Sequence, residues 1–342
     1  MIQISVVIPT RNRFDSVRRT IASIAAQTLQ PREIIIVDAS DDPAYLEAIK
    51  REFPDRNLRC MVSDDRSVCT QRNKGIQSVV SDWVFLCDDD IEIPPIHFEV
   101  LSQYLTTNPE CGVACGVCLQ LEKGVWVEQY PVTGFLDLLW RYVFQLSVWS
   151  DLNEVQAPLL IKWLEHKIIS FYRKRGNTLS NAGWPLITQW SGPVMTSSTY
   201  ALGASLVRRQ WMIESAYDEV LDPSGIGDNY GVAINFRQRK PVHILKETYY
   251  YHHRARENRL DQFQVYYRRA LALNYFTILK GENVPARTRW LVWSLTGSCL
   301  RFLLAGRWSL GKASAKAALK IISGKNPYWL ANQQNQKRIT PQ

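Results

Sequence analysis

Apolar and polar positions along the first 120 residues predict strands that alternate with helices. Short apolar runs at residues 4–10, 33–40 and 83–87 have the length and composition of buried strands. The remaining predicted elements are helices at 14–26, 43–52 and 69–80 and a short strand at 58–63. This β-α-β-α-β-α-β order indicates right-handed crossovers and a mainly parallel sheet, whose carboxyl edge is where ligands bind.

Polar residues follow three of these strands at the point where each strand ends. They occupy residues 10–13, 38–42 and 88–90, and the last group is the aspartate run of "LCDDDIEI". Neighbouring carboxylates repel one another unless a positive group lies between them. An acidic, solvated turn is the alternative for that run alone. Because all three groups converge on one sheet edge, we expect a binding site there.

Composition and charge narrow the class of protein. The chain has 342 residues, of which 46% are hydrophobic and 21% charged, so it can bury a sizeable core. Its formal charge of +9 indicates an anionic partner, which could be nucleic acid, a phosphorylated ligand or a membrane surface. The first residues, "MIQISVVIPT", lack the pattern of a secretory signal, and we expect a cytoplasmic protein.

The chain has seven cysteines and no pattern of a secretory signal, so we expect reduced thiols rather than a disulfide framework. Three of them, in "CGVACGVC", have a C-x3-C-x2-C spacing that resembles the iron–sulfur signature of radical enzymes that cleave S-adenosylmethionine. The same stretch is rich in small and β-branched residues and lies where the α/β alternation expects a strand. We favour the strand.

Four motifs together carry a resemblance to a known family. "VVIPTRNR", "IIIVDASDD", "QRNKGI" and "CDDDIEI", in this order, resemble glycosyltransferase family 2, the inverting nucleotide-sugar transferases of the GT-A fold. The resemblance covers roughly residues 3–255. It implies an α/β fold with a mainly parallel sheet flanked by helices, followed here by a C-terminal helical extension.

The resemblance also implies which residues hold the nucleotide-sugar donor. They are Pro9, Thr10, Arg11, Arg13, Asp38, Asp41, Arg72, Asn73, Asp88 and Asp89. Asp90 is the implied ligand of a divalent cation, Mg²⁺ or Mn²⁺. Such a cation neutralises the diphosphate of the donor and stabilises it as the leaving group.

Two histidines near the end of the resemblance are further candidate metal ligands. His252 and His253 lie in "YHHRAR" at the end of a predicted strand, with Arg254 and Arg256 adding positive charge beside them. Because side chains alternate along a strand, the two histidines should face opposite ways. The sequence does not show which of them serves as the third metal ligand or contacts the diphosphate.

Inverting transfer also requires a base that takes a proton from the acceptor hydroxyl. Asp228, in "SGIGDNYGVAINFR", matches the aspartate that acts as base in the family, although Gly227 stands where the family has glutamate. From spacing alone, the commoner role of such an aspartate is to cap the following helix, which is predicted to run through Val232 and Phe236. Capping and catalysis can coexist at one residue.

The resemblance and the pattern together predict the domain organisation. The predicted parts are a GT-A domain at 1–255, with a nucleotide-sugar half at 1–120, a helical insertion at 135–190 and an acceptor half at 190–255; a helical region at 256–330; and a disordered tail at 331–342. In the helical region, residues 290–306 are apolar and aromatic but are interrupted by Arg301, and they are too short for a membrane span. We expect residues 287–320, which combine this stretch with arginines and with Lys312, Lys316 and Lys320, to attach in plane to an anionic membrane surface. A buried helical pair and an oligomer interface are open alternatives.

Three function hypotheses follow. The leading one is a metal-dependent hexosyl- or related glycosyltransferase of polysaccharide biosynthesis, which acts on a glycan or lipid-linked acceptor at the inner face of the membrane. A nucleotidyltransferase is the second, but it would want a glycine-rich phosphate loop, and "PTRNRF" has no glycine. A basic nucleic-acid-binding module ranks last because no reading motif accompanies the charge, and we expect no nucleic-acid partner.

Overall fold

The computed structural model describes residues 2–153, 155–221, 224–236, 240–255, 257 and 259–339. The chain divides into two compact units. Unit 1 comprises residues 1–128 and 191–259, and unit 2 comprises residues 129–190 and 260–342.

The helices and strands follow one another along the chain as listed here. The first are β1 (Ile4–Thr10), α1 (Phe14–Ala25), β2 (Glu33–Asp38), α2 (Tyr45–Glu52), β3 (Leu58–Val62), α3 (Val68–Ser78), β4 (Trp83–Cys87), β5 (Ile91–Glu92), α4 (His97–Thr107), β6 (Val113–Glu122) and β7 (Val125–Val127). The next are α5 (Phe135–Val143), β8 (Val148–Trp149), α6 (Lys162–Arg175), β9 (Thr178–Leu179) and β10 (Pro185–Ile187), with a 3₁₀ turn at Leu159–Ile161. The last are β11 (Val194–Ser197), β12 (Ala204–Arg208), α7 (Arg209–Glu214), α8 (Asp228–Asn235), β13 (Val242–His252), α9 (Gln262–Lys280), α10 (Val284–Leu304), α11 (Trp308–Ile322) and α12 (Pro327–Ile339).

Unit 1 is built on a mixed sheet with the strand order β11-β13-β6-β12-β4-β1-β2-β3. Strands β4, β1, β2 and β3 are mutually parallel, and β12 runs antiparallel to both β4 and β6. The prediction of a mainly parallel, helix-flanked sheet is confirmed. The buried apolar runs in β1, β2 and β4 are continuous because helices cover both faces of such a sheet.

The register of the parallel strands brings their polar ends together. Thr10 at the end of β1 pairs with Asp38 at the end of β2, and Val7 of β1 pairs with Leu86 of β4. The residues that follow β1, β2 and β4 therefore meet at one edge, as the sequence predicts. In β6, Cys115 and Cys118 are buried, and the described cysteines are all free thiols, so the strand interpretation is confirmed.

Unit 2 has its own apolar core. Its members come from α5, α6, the short strands and the connection after β8: Phe135, Leu138, Val148, Leu152, Val155, Ile168, Ile169, Tyr172 and Leu186. The C-terminal part of this unit is an array in which α11 packs against α9 and α10. Within the described residues, none of the helices has the length and apolar character needed to cross a membrane.

The C-terminal end differs from the sequence expectation of a disordered tail. Helix α12 continues to Ile339, while residues 340–342 lie outside the described residues. The helix is anchored at its start, where Tyr328 is buried and Asn326 donates a hydrogen bond from Nδ2 to the Leu271 carbonyl at 2.8 Å. A polar segment of this kind lacks an apolar stripe that would mark it as a helix in the sequence.

Helix α3 approaches the sheet closely at a single glycine. Gly75 is buried, and a Cβ atom placed on it would lie 2.4 Å from Cγ1 of Val7 and 3.1 Å from Cγ2 of Val37. The side chains of β1 and β2 thus occupy the space that any larger residue would need. Val7 and Val37 lie shortly before Thr10 and Asp38, the polar ends of β1 and β2. This contact therefore holds α3 against the sheet close to its polar edge.

We predict that Gly75→Ala lowers the melting temperature by several degrees. Alanine normally stabilises a helix by about 0.5–1 kcal/mol relative to glycine, but overpacking a close contact costs about 1–3 kcal/mol. Thermal unfolding followed by circular dichroism checks the sign. Gln77→Ala, on the exposed side of the same helix, is the matched control and should leave the melting temperature nearly unchanged. A Gly75→Ala protein that melts at or above the wild-type temperature would contradict the packing argument.

Candidate active site

The three consecutive aspartates lie immediately after β4, against the loop that precedes β12. The backbone N–H of Asp88 donates to the Gly203 carbonyl at 2.8 Å. A Cβ atom on Gly203 would lie 2.2 Å from Oδ2 of Asp88, so only glycine allows this close approach. The contact fixes the direction in which the Asp88 side chain leaves the sheet.

Asp89 faces the loop after β1. Its carboxylate accepts hydrogen bonds from Thr10 Oγ1 and from Arg13 Nη1, both at 2.8 Å. Burial raises the pKa of Asp89 from 3.8 to about 6, although Arg13 acts in the opposite direction. The interaction joins two of the predicted polar groups and holds the loop after β1 against the aspartates.

Asp90 lies between β13 and the segment that follows it. Its carboxylate is 3.3 Å from Nε2 of His252 and 3.2 Å from Nη2 of Arg259, and it accepts the Ala255 backbone N–H at 2.9 Å. Burial acts to raise the pKa of Asp90, but the hydrogen bond from His252 and the charge of Arg13 hold that pKa well below its ordinary value. Burial alone would lower the pKa of His252, yet its bond to Asp90 raises that pKa from 6.5 to about 10.

Asp88, Asp90 and His252 form a group that could hold a metal ion. One ligand atom from each residue lies within 4.8 Å of the others. Two carboxylates and one neutral imidazole are a suitable donor set for a divalent cation, and Asp90 is held in its ionised form. Because Asp90 raises the pKa of His252, a cation would have to displace the proton from that imidazole when it binds. The sequence predicts Asp90 as a ligand and leaves His252 and His253 open. The group contains His252 of the two, and it also includes Asp88, which the sequence predicts as a donor-binding residue.

His253 faces away from this group. Its backbone N–H donates to the Asp90 carbonyl at 2.9 Å, but its Nε2 lies 3.0 Å from Glu92 and its ring packs edge-on against Trp126. The neighbouring Arg254 donates to Glu122 at 2.8 Å. The alternation of β13 therefore separates the two histidines, and Arg256 lies outside the described residues.

The loop after β2 presents a buried carboxylate with an unused oxygen. Oδ1 of Asp38 accepts hydrogen bonds from Ser40 Oγ at 2.6 Å and from Tyr45 Oη at 2.7 Å. Oδ2 of Asp38 is buried and has no hydrogen-bond partner among the described residues. A buried acceptor without a partner is costly, so this oxygen is placed to accept a donor from a ligand.

Arg11 and Asp41, which follow β1 and β2, are more exposed than Asp38. Asp41 accepts hydrogen bonds at 2.7 Å from Asn12 Nδ2 and from Arg66 Nη2, and Arg11 lies 3.9 Å from it. Pro9 is buried in β1, where it pairs with Val37. These contacts link the two loops across the sheet edge.

Arg72 connects the aspartate run to Asp228. It is buried in α3, and its guanidinium donates from Nη2 to Asp88 and from Nη1 to Asp228. The guanidinium carbon also lies 5.0 Å from the centroid of the Tyr217 ring. Burial acts to lower the pKa of Arg72, but the two carboxylates raise it well above its ordinary value, so Arg72 remains charged.

Asp228 begins α8 after a turn that needs glycine. Gly227 has a φ of +96°, a conformation that a glutamate, the family's residue there, would adopt only with strain. Burial raises the pKa of Asp228 from 3.8 to about 6, against the lowering effect of Arg72. A carboxylate with this pKa can exchange a proton near neutral pH.

Asn73 makes a different set of contacts from its neighbour Arg72. Its Nδ2 donates to the Tyr217 carbonyl at 2.8 Å and to Glu219 at 2.9 Å, and its Oδ1 accepts the Tyr217 N–H. Asn73 thus holds the segment before α8 against α3. Its described contacts are with that segment rather than with the residues after β1 and β2.

Sequence reasoning missed three residues that complete the site. Arg259 pairs with Asp90, Tyr217 lies under Arg72, and Gly203 allows Asp88 its position. The basic run after β13 was a signal for Arg259, which continues it. No local pattern marks Tyr217 or Gly203, because their roles arise from contacts distant in the sequence.

Comparison with known proteins identifies a family model, two curated relatives and two solved structures that are similar to this chain. Residues 5–142 match the family model for glycosyl transferase family 2. An uncharacterized glycosyltransferase, YwdF of Bacillus subtilis, is 34% identical over 106 residues, which are 31% of this chain and 39% of that protein. A glucosyl-dolichyl phosphate glucuronosyltransferase of Haloferax volcanii is 30% identical over 134 residues, which are 38% of this chain and 41% of that protein. The chain thus spans about two fifths of the length of these curated relatives.

Two solved structures share the fold at low sequence identity. The S. aureus TarS fragment 1–349 in complex with UDP has a TM-score of 0.51 at 13% identity, covering 97% of this chain and 92% of that one. GalNAc-T7 with UDP, GalNAc and Mn²⁺ has a TM-score of 0.50 at 14% identity, covering 94% of this chain and 58% of that one. These likenesses establish the GT-A fold. The part of the chain that matches glycosyl transferase family 2, residues 5–142, carries the aspartates and the loops after β1 and β2.

Proposed function

We propose that the protein is an inverting, metal-assisted glycosyltransferase that moves a sugar from a nucleotide-diphosphate sugar to a glycan or lipid-linked acceptor. The observation that carries the proposal is the group of Asp88, Asp90 and His252, connected through Arg72 to Asp228 at the carboxyl edge of a family 2 sheet. One side of this arrangement suits a cation and a diphosphate, and the other offers a base. Both are required by transfer from a nucleotide sugar.

The loops after β1 and β2 are proposed to hold the nucleoside of the donor. The unpaired Oδ2 of Asp38 can accept a hydrogen bond from a base N–H or a ribose hydroxyl. Both structural neighbours are described as complexes with UDP, and a uridine donor is therefore the first to test. Arg11 and Arg13 add positive charge at the same edge.

Asp88, Asp90 and His252 would hold the divalent cation, Mg²⁺ or Mn²⁺. When bound, the cation neutralises charge on the diphosphate and makes it a better leaving group. The presence of an imidazole beside two carboxylates favours Mn²⁺ over Mg²⁺, which prefers oxygen ligands throughout. The neighbour GalNAc-T7 is described with Mn²⁺.

Asp228 is proposed to take the proton from the acceptor hydroxyl. Arg72 pairs with both Asp228 and Asp88, so it holds the base and a metal ligand at fixed positions relative to one another. A carboxylate that accepts the proton while the acceptor oxygen attacks the opposite face of the sugar gives inversion at the anomeric carbon. The nucleotidyltransferase and nucleic-acid-binding alternatives are not favoured.

The acceptor is the least constrained part of the proposal. The relative from Haloferax volcanii is described as acting on glucosyl-dolichyl phosphate, a lipid-linked substrate. A lipid-linked acceptor, as in polysaccharide biosynthesis, would require the enzyme to work at a membrane surface on the side where nucleotide sugars are available.

We predict that nucleotide binding depends on the metal and on His252. At a ligand concentration about 100 times the dissociation constant, UDP or a UDP-sugar with Mn²⁺ should stabilise the fold by about 2.7 kcal/mol and raise the melting temperature by several degrees. His252→Gln should lose the Mn²⁺-dependent part of this shift. Thermal-shift measurements with a panel of nucleoside diphosphates and nucleotide sugars, with and without Mn²⁺, check the prediction.

The adjacent histidine supplies the control for this experiment. His253→Gln removes a ring of the same size one residue away, on the other side of β13, and should keep the metal-dependent shift. If no nucleotide stabilises the wild-type protein, the transferase proposal fails. If both histidine variants behave alike, the assignment of His252 as the metal ligand fails.

We predict that Asp228→Asn lowers kcat by about 10²–10⁴-fold, the usual contribution of a general base, while donor binding is retained. In the wild-type protein, Asp228 with a pKa of about 6 is ionised above pH 6 and protonated below it. A base must be ionised to act, so kcat should fall as the pH drops through about 6. Both effects are checked by steady-state kinetics with the donor that the thermal-shift panel identifies. The pH range is roughly 5–8, which spans the pKa of Asp228.

An exposed aspartate of the same unit is the control. Asp82→Asn, in the turn before β4, should leave kcat and its pH profile unchanged. Retention of wild-type turnover by Asp228→Asn would exclude Asp228 as the base.

A further inference from the structure

Helix α11 turns a face of small residues toward its neighbours. Gly311, Ser314 and Ala317 are buried, and Ser314 Oγ donates to the Leu295 carbonyl of α10 at 2.8 Å. A Cβ atom on Gly311 would lie 2.9 Å from Cδ2 of Leu303. Small side chains let α11 and α10 approach closely, so the contact between them is tight.

The opposite face of α11 exposes large apolar side chains. Trp308, Leu319 and Ile322 are 65%, 67% and 65% exposed, and Leu304, the last residue of α10, is 83% exposed. With 100° of rotation per residue, Trp308, Leu319 and Ile322 fall within a narrow stripe. A helix that places small residues inward and tryptophan, leucine and isoleucine outward has a second apolar surface to cover.

A row of lysines lies directly beside this stripe. Lys312, Lys316 and Lys320 follow one another at intervals of four residues, which puts them on one side of the helix. Nζ of Lys316 lies 5.0 Å from the centroid of the Tyr267 ring, and Arg307, in the turn before α11, lies over the ring of Phe302. Residues 283–342 contain ten lysines and arginines and no aspartate or glutamate.

We propose that the outer face of α11, together with the α10–α11 turn, docks on a bilayer of anionic lipids. The apolar stripe would enter the boundary between headgroups and acyl chains, and the lysine row would lie against the lipid phosphates. The inference rests on the proposed function in one respect: a lipid-linked acceptor is the reason why the enzyme would work at a membrane. The surface itself is argued from exposure and charge.

Charge distinguishes this partner from a second copy of the chain. Two copies that met through this face would bring two surfaces without acidic residues together, and their lysines would repel. An anionic bilayer has the complementary charge. The sequence expectation covers residues 287–320, which include most of both α10 and α11. Leu291 and Leu295 of α10 are buried, whereas Trp308 and Leu319 of α11 are about two-thirds exposed, more than any apolar side chain of α10 before Leu304. The structure therefore narrows the expected surface to α11 and the turn before it.

Vesicle flotation with purified full-length protein and two sets of variants tests the proposal. One set is the apolar triple variant Trp308→Ser, Leu319→Ser and Ile322→Ser; the other is the charge variant Lys312→Gln, Lys316→Gln and Lys320→Gln. Vesicles contain either phosphatidylcholine alone or phosphatidylcholine with phosphatidylglycerol. We expect the wild type to float with the anionic vesicles only. The charge variant should bind them roughly 100-fold more weakly, and the apolar variant at least about tenfold more weakly.

Two controls keep the result specific. Val62→Ser with Val80→Ser removes exposed apolar side chains from unit 1 and should leave flotation unchanged. Leu159→Ser with Leu160→Ser removes the most exposed leucines of unit 2, each 91% exposed, and should also leave flotation unchanged. Circular dichroism and the Mn²⁺-dependent nucleotide shift should be the same in all variants, so that loss of flotation is separate from loss of the nucleotide site.

Three outcomes would overturn the proposal. The first is that the wild-type protein does not float with anionic vesicles. The second is that the α11 variants float as well as the wild type, or that only the Leu159 and Leu160 variant fails to float. The third is that the wild type forms a concentration-dependent dimer that the apolar variant abolishes, with no flotation, which would assign the face to a second copy. Absence of any nucleotide shift would reject the proposed reaction and leave the membrane surface standing.

Discussion

Three adjacent carboxylates, of which Asp89 and Asp90 are buried and Asp88 is partly buried, can lie at the end of β4 because each is compensated by a different cationic group. Asp88 pairs with Arg72, Asp89 with Arg13, and Asp90 with His252 and Arg259. These partners come from α3, the loop after β1, the end of β13 and the segment beyond it. A buried charge without such a partner is strongly destabilising, so the four regions are held at one edge of the sheet by the same set of ion pairs.

The same compensation prepares the edge for chemistry. Asp88 and Asp90 have different partners. Arg72, the partner of Asp88, also pairs with Asp228, whereas His252, a partner of Asp90, is the last residue of β13. In the proposed reaction, the cation-binding end and the base end would therefore belong to one network of ion pairs. Asp38 contributes the third element, since its unpaired buried oxygen is placed to recognise a ligand at the end of β2.

Sequence reasoning recovered the parts of the structure that depend on local pattern. Buried strands, their order and the polar residues at their ends follow from hydrophobic periodicity and from the geometry of parallel sheets, and the loops after β1, β2 and β4 do meet. Local pattern could not separate Arg72, which faces the aspartates, from Asn73, which faces Tyr217. That difference depends on contacts with a segment about 145 residues away, as the spacings of 144 and 146 residues in the Asn73 bonds show.

The C-terminal helices show the same limit. Composition indicated a basic, aromatic surface at residues 287–320, but helix packing decided which side chains remain outside. Gly311 and Ser314 lie on the side of α11 that packs closely against α10, whereas Trp308, Leu319 and Ile322 lie on the outer side and stay exposed. A sequence shows that such residues are present, whereas the face on which they lie depends on which neighbour the helix meets.

Anomalous X-ray diffraction at the manganese edge, from crystals grown with Mn²⁺ and a nucleoside diphosphate, tests the central claim most directly. The account predicts one strong anomalous peak from a manganese ion that Asp88, Asp90, His252 and the diphosphate coordinate. The nucleoside should lie against Asp38. A nucleotide bound elsewhere, or bound at this edge with no manganese between the diphosphate and these three residues, would contradict it.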